Sequence, residues 1–248
     1  MNQIHHIDIN ADVGEGIGNE ATILPLLSSC NIACGGHAGD LQTMSKVVKL
    51  AKQHNVKIGA HPSFPDIANF GRVEMTITTV DLYDSLKHQI QALQNVVNSE
   101  HAQLYHIKPH GALYNLAAKD EKTAAIIIDV LKSINLPLKL YAPYNSVIAK
   151  LAKRTHIEIV VEAFADRNYN KDLSLVSRTN TNALLTDKYL ILKHVLNMIK
   201  SNKVHTICGV DVPIKASTFC VHGDSENAVE ILKFLNEELP KHKVQIQY

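Results

Sequence analysis

Short apolar or β-branched runs alternate along this chain with longer stretches whose apolar residues recur every three or four positions. The runs are Ile7 to Ile9, a looser one ending at Ala33, Lys57 to Ala60, Leu104 to Ile107, Lys139 to Ala142, Ile157 to Val161 and Phe219 to Val221. The longer stretches predict helices over Leu41 to His54, Thr79 to Asn98, Glu121 to Ser133, Asn145 to Thr155, Asp187 to Lys200 and Ser225 to Glu238. The clearest is Thr79 to Asn98, where Leu82, Leu86, Ile90, Leu93 and Val97 line one face behind a Thr-Asp start. Asp40 is placed to cap the first helix, and Asn135-Leu136-Pro137 stops the third. Val204 to Ile214, with Gly209-Val210-Asp211 at its middle, reads as a small hairpin.

Strands alternating with helices indicate a parallel sheet with crossover connections. No Pro/Gly/Ser linker or shift of composition splits the chain, so residues 1–248 read as a single domain. Seven such units in this length predict an α/β fold of the (β/α) barrel type, complete or one strand short. A doubly wound open sheet is the alternative. Gly14-Glu15-Gly16-Ile17-Gly18 is rich in glycine but does not match the dinucleotide-binding G-x-G-x-x-G.

Polar residues gather just past the apolar runs. Four segments pair a histidine with a glycine: Asn31 to Asp40 around His37, Gly59 to Pro62 around His61, Lys108 to Gly111 around His110, and Val221 to Asp224 around His222. A strand ending this way presents an imidazole at its carboxyl end, and the glycine lets the backbone turn. In a parallel barrel the loops at that end build the active site. The expected constellation is then Asn10, Asp12 and Glu15 after the first strand, His37 and Asp40 after the second, and His61 after the third. Lys108, His110 and Asn115 follow the fourth, Glu162, Asp166 and Arg167 the sixth, and His222 and Asp224 the last. Lys108 reads as an anion anchor or a desolvated amine. Arg72, Arg167 and Arg178 can each clamp a carboxylate or phosphate, although a surface arginine is common. Histidines in polar or helical contexts, such as His54, His88, His194 and His205, read as solvated groups or helix-end caps.

The formal net charge of +1, the absence of Trp and an aromatic fraction of 5% argue against nucleic acid or an anionic membrane surface as partner. No apolar run reaches the roughly 18 residues of a transmembrane helix, and the start of the chain lacks a signal-peptide pattern. Cys30, Cys34, Cys208 and Cys220 lack zinc-site spacing and read as reduced thiols, so the expected location is cytoplasmic.

These motifs, in this order, resemble the LamB/YcsF family. The resemblance is carried by Asp8 to Glu15, Asn31 to Asp40, Gly59 to Asp66, Phe70-Gly71-Arg72, Lys108 to Asn115, Glu162 to Arg167 and Cys220 to Asp224, nearly end to end. Four positions depart from the family pattern: Ala11 for a usual Cys, Gly36 for a usual Phe, and Asn69 and Val73 for a usual Gly and Arg. Loss of the phenyl ring at Gly36 is expected to enlarge a pocket wall.

The resemblance implies a distorted, seven-stranded β/α barrel similar to that of the glycoside hydrolases and carbohydrate deacetylases. It also implies ATP-dependent opening of 5-oxoproline to L-glutamate, as one component of a 5-oxoprolinase with partner subunits B and C. The chain has no G-x-x-x-x-G-K-[ST] segment, so ATP handling is expected to lie largely with the partners. Asp12 with His61 or His110 is expected to position or deprotonate water. Lys108 would stabilise an oxyanion or phosphate, an arginine would hold the substrate carboxylate, and His222, oriented by Asp224, would protonate the leaving nitrogen. Asn10, Glu15, His37, Asp40, Asn115, Glu162 and Asp166 complete the substrate-binding set. A divalent metal on an Asp with two His is an open alternative. So are a metal-dependent deacetylase or amidohydrolase working without ATP, and a subunit that only binds substrate.

Overall fold

A computed structural model describes residues 4–223 and 227–248. The first strand, β1 (His5–Val13), is followed by a short helix α1 (Glu20–Ile23), then β2 (Ser29–Ala33), α2 (Leu41–Gln53), β3 (Lys57–His61) and α3 (Thr79–Ser99). Next come β4 (Leu104–Ile107), α4 (Gly111–Ala117), α5 (Glu121–Ile134), β5 (Lys139–Pro143), α6 (Val147–Arg154) and β6 (Ile159–Phe164). The chain ends with α7 (Lys188–Ser201), the hairpin β7 (Lys203–His205) and β8 (Asp211–Pro213), then β9 (Thr218–Cys220), α8 (Ala228–Glu238) and β10 (Val244–Ile246).

Strands β1 to β6 pair in order and in parallel, and β9 closes the ring by pairing with both β6 and β1. The result is a closed seven-stranded parallel barrel, which decides between the two folds the alternation left open. The sequence expectation missed β10, which lies beside the amino-terminal part of β1, with His5 opposite Val244.

The helices form as their patterns predict, with ends displaced by at most three residues. Asp40, Thr78, Asp120, Ser146 and Asp187 each accept a backbone N–H of the first turn of their helix. Asn135 ends α5 in the left-handed region, at the predicted turn.

Two strands differ in a way that matters for function. β1 runs on to Val13, and β6 spans Ile159–Phe164 rather than Ile157 to Val161. Asn10, Asp12 and Glu162 therefore sit within strands and not in the loops after them. In β1, Ile7, Ile9, Ala11 and Val13 join the hydrophobic core. Asp8, Asn10 and Asp12 alternate with them and bond side chains across the lumen, as period-2 geometry requires.

The lumen is accordingly polar. Asp8 accepts from Ser29 (2.7 Å) and Thr218 (2.5 Å). Asn10 donates to Glu162 (3.0 Å) and Thr218 (2.8 Å) and accepts from Asn31 (2.8 Å). The His106 Nε2 donates to Asn31 Oδ1 (2.7 Å), and the ring stacks on Tyr141 at 3.8 Å. Gly59 makes this possible, because a Cβ there would lie 2.1 Å from His106 Nε2. His194, expected as a solvated group or a helix-end cap, is instead buried in the middle of α7 and stacked with Tyr169. No helix among the described residues is long and apolar enough to cross a membrane.

Candidate active site

The carboxyl ends of the strands surround a cavity of about 360 Å³. Asp12 and Glu15 from β1 and its loop, His61 from β3, Lys108 and His110 after β4, Phe164 from β6 and His222 after β9 all line it. The connection from β6 to α7 contributes Ser177, Arg178 and Thr179 to the lining, and Arg72 and Asn115 line the same space.

Lys108 lies at the centre and is 2% exposed. Its Nζ stands 3.0 Å from Asp12 Oδ1, 2.9 Å from Glu162 Oε1, 3.3 Å from Asn10 Oδ1 and 3.2 Å from Cys220 Sγ, with the Phe164 ring 5.2 Å away. Burial alone would depress its pKa; the neighbouring negative charges, Asp12 first, outweigh burial and hold the ammonium well above its usual range. Burial would raise Asp12 in turn, but the His61 and Lys108 charges hold it well below the usual carboxylate range. The ammonium is held by the carboxylates on either side of it, which speaks against the reading of Lys108 as a deprotonated amine.

His61 and His110 face each other. His61 Nδ1 donates to the carbonyl of Lys108 (2.7 Å), and His110 Nε2 donates to the carbonyl of Phe70 (2.9 Å). Their other nitrogens, His61 Nε2 and His110 Nδ1, meet at 2.9 Å. His61 Nε2 is also 3.4 Å from Asp12 Oδ2. Burial works against a charged His61, but Asp12 reverses this and raises its pKa; burial, reinforced by His61, pushes His110 down to about 2. His37 stacks on His110 at 3.6 Å and places Nε2 2.8 Å from Glu15 Oε1. Ligand atoms of Glu15, His37, His61 and His110 all lie within 4.8 Å of one another, a donor set able to hold a metal ion. Two glycines allow this crowding. Gly71 (φ +62°) would carry a Cβ 3.0 Å from His110, and Gly111 (φ +52°) one 2.6 Å from the Gly71 carbonyl.

On the opposite wall Asp166 accepts from the His222 backbone N–H (2.8 Å) and from His222 Nδ1 (2.8 Å), which orients the ring. Burial would raise Asp166, but His222 outweighs it and keeps the carboxyl below its ordinary range. The expected partner of His222, Asp224, lies outside the described residues.

Other expected residues sit differently. Asp40 is exposed, its carboxylate accepting the Thr43 N–H (2.7 Å), so it is the cap of α2 and does not line the cavity. Asn10 and Glu162 lie beneath Lys108, where they hold the lysine and do not face the cavity. Arg167 lines the cavity but donates from Nη2 to the Val176 carbonyl (2.6 Å) and from Nε to Ala183 (3.4 Å), tying down the connection from β6 to α7. Gly36 does not enlarge a wall: a Cβ there would meet Gln89 Oε1 at 2.3 Å, and the Gln89 amide, bonded to the Ser63 backbone, occupies that place.

Sequence reasoning passed over Tyr114, Asn31 and His106. Tyr114 lines the cavity, and its buried hydroxyl has no hydrogen-bond partner. Glu162 Oε2 is likewise unpartnered, and burial followed by the Glu162 charge raises the phenol well above its usual range. The inward positions of His106 and Asn31 were signalled by alternation with Ile107 and Ile32.

Residues 7–248 match the model of the LamB/YcsF family. The A subunit of 5-oxoprolinase from Haemophilus influenzae (strain PittEE) is 42% identical over 240 residues, covering 97% of this chain and 98% of that one. That of Bacillus cereus (strain AH187) is 44% identical over 233 residues, 92% of each chain. The crystal structure of a lactam utilization protein from Thermus thermophilus superposes with a TM-score of 0.90 at 35% identity, covering 98% of this chain and 99% of that one.

Proposed function

The chain belongs to the LamB/YcsF family, and from that premise we propose that it is the ring-opening component of an ATP-dependent 5-oxoprolinase, converting 5-oxoproline to L-glutamate. The observation that carries the reading is the buried Lys108 ammonium, held between Asp12 and Glu162 and lining a small cavity together with Arg72, Arg167 and Arg178. Relatives spanning nearly the same length are named as the A subunit of 5-oxoprolinase. A protein named in that way has partner subunits, and we take these to be subunits B and C. The four cysteines are unpaired, which suits the reducing cytoplasm.

A lactam resists hydrolysis because its nitrogen donates into the carbonyl. Phosphoryl transfer from ATP to the amide oxygen removes that resistance and leaves ADP. With no P-loop in this chain, we assign that transfer largely to the partners. Water then adds to the ring carbon, its proton passing to a base formed by Asp12 with His61 or His110, a contribution of roughly 10²–10⁴ in rate. Lys108 stabilises negative charge on the transferred phosphoryl group or on the oxygen added from water. Carbon–nitrogen cleavage follows as His222, oriented by Asp166, protonates the nitrogen. A second water hydrolyses the acyl phosphate, giving glutamate and phosphate. Arg72, Arg178 or Arg167 binds the substrate carboxylate, together with Asn115.

The test is glutamate formation from 5-oxoproline by this chain with and without ATP and subunits B and C. The expected result is turnover only with all components. Turnover without ATP, or release of acetate from acetylated sugars, would replace the proposal with the amidohydrolase or deacetylase reading.

A further inference from the structure

We propose that Glu15, His61 and His110, with water in the fourth position, form a site for one divalent transition-metal ion of the zinc class. The proposal deepens the ring-opening reading, on which the ion's chemical role rests, while its binding stands on geometry alone.

The argument starts from the two facing histidines. A backbone carbonyl only accepts hydrogen bonds, so the ring nitrogens that meet the Lys108 and Phe70 carbonyls must carry protons. In neutral imidazoles this leaves lone pairs on His61 Nε2 and His110 Nδ1, which point at each other across 2.9 Å. Two lone pairs that close repel unless a cation lies among them. Carbonyls fixing the outer nitrogens of metal-binding histidines are also the usual second layer of such a site.

Glu15 Oε1 supplies an anionic donor beside them. It lies 2.8 Å from His37 Nε2, 3.3 Å from His110 Nδ1 and 3.9 Å from His61 Nε2. Around a tetrahedral ion with Zn–N bonds of about 2.0–2.1 Å, ligand atoms stand roughly 3.3–3.4 Å apart. The separations found here bracket that value. Two imidazoles and one carboxylate suit zinc and its first-row neighbours, whereas calcium and magnesium prefer all-oxygen sites. His37, stacked parallel on His110 at 3.6 Å, cannot aim an in-plane lone pair at the same ion; its Nε2 instead holds the Glu15 carboxylate at 2.8 Å.

A bound ion supplies a Lewis acid at the cavity wall. Ligation would also divide the work among residues that the proposed reaction leaves as alternatives. His61 and His110 would hold the ion, leaving Asp12, 3.4 Å from His61 Nε2, as the base facing the cavity.

The experiment uses tag-free full-length chain, stripped with a chelator and titrated with Zn²⁺ and Co²⁺. Calorimetry and metal counting are expected to give one ion per chain, with the intense visible absorption of four-coordinate Co²⁺. Glu15→Gln and His61→Asn are expected to weaken binding about 100-fold or more, with circular dichroism confirming their folds. Should His61→Asn not fold, Glu15→Gln, on the partly exposed loop, decides. No uptake by the wild type, or unchanged uptake by a folded variant, overturns the proposal and leaves a shared proton between the histidines. Glutamate formation by metal-free chain with its partners and ATP would overturn the ion's role while the function stands. Stoichiometric binding without glutamate formation would uphold the site and count against the function.

Discussion

Lys108 is the residue whose surroundings are most demanding. It neutralises Asp12 and Glu162 together, both nearly excluded from water. Removing one member of a buried ion pair leaves its partners charged and unpaired, at a cost of about 3–5 kcal/mol. Lys108→Met is therefore expected to lower the unfolding free energy by that order and to abolish glutamate formation, as read by denaturant titration and a coupled assay. A variant of wild-type stability would show that the carboxylates are not held by this cation. Asp166 offers a subtler test. Its carboxylate fixes His222 through two bonds, so Asp166→Asn is expected to reduce kcat by roughly 10²-fold with little change in KM. His222→Gln in the same background should add little, because the two act as a unit. Fully additive losses would separate them.

At the level of elements, β1 shows what period-2 alternation encodes. The run from Ile7 to Val13 alternates apolar and polar residues without a break. Read as a short strand leading into a loop, it misplaces Asn10 and Asp12; as one strand it sends both into the lumen. The start of α2 makes the opposite point. Asp40 lies in a motif dense with candidate site residues, yet its carboxylate caps the helix. Asp40→Ala is expected to cost about 1 kcal/mol of stability and to leave KM and kcat unchanged. A several-fold rise in KM in a stably folded variant would return Asp40 to the binding set. The helices were legible because amphipathic periodicity and caps are local. The short α1, α4 and β10 were not, because each is held mainly by what it packs against.

For the whole molecule, acid is a destabilising condition, and the sign follows from buried histidines whose charged form is disfavoured, His194 and His110 among them. Burial depresses His194 from 6.5 to about 4. Below pH 6.5 the unfolded chain binds a proton there that the folded chain refuses, so stability is lost as pH falls from 6.5 towards 4. Asp166, held below its ordinary range, adds to the loss at still lower pH, since its stabilising charge disappears on protonation. The expected contribution of His194 is on the order of 2–3 kcal/mol over that interval, so the slope is shallower in His194→Gln while His110 keeps its own share; an unchanged slope in that variant would remove His194 as a cause. The sequence by itself determined the alternation of strands and helices, the parallel sheet it implies, and most of the polar residues at the strand ends. These follow from local periodicity and from the rule that parallel strands carry function at their carboxyl ends. Only the tertiary structure decided which of those residues meet. The pairing of His61 with His110, the role of Asp166 as a carboxylate on His222, and the withdrawal of Asp40 from the site all depend on barrel closure and strand register. Closure brings together side chains up to 210 positions apart, as with Asp8 and Thr218, and at that separation no local pattern records which atoms will touch.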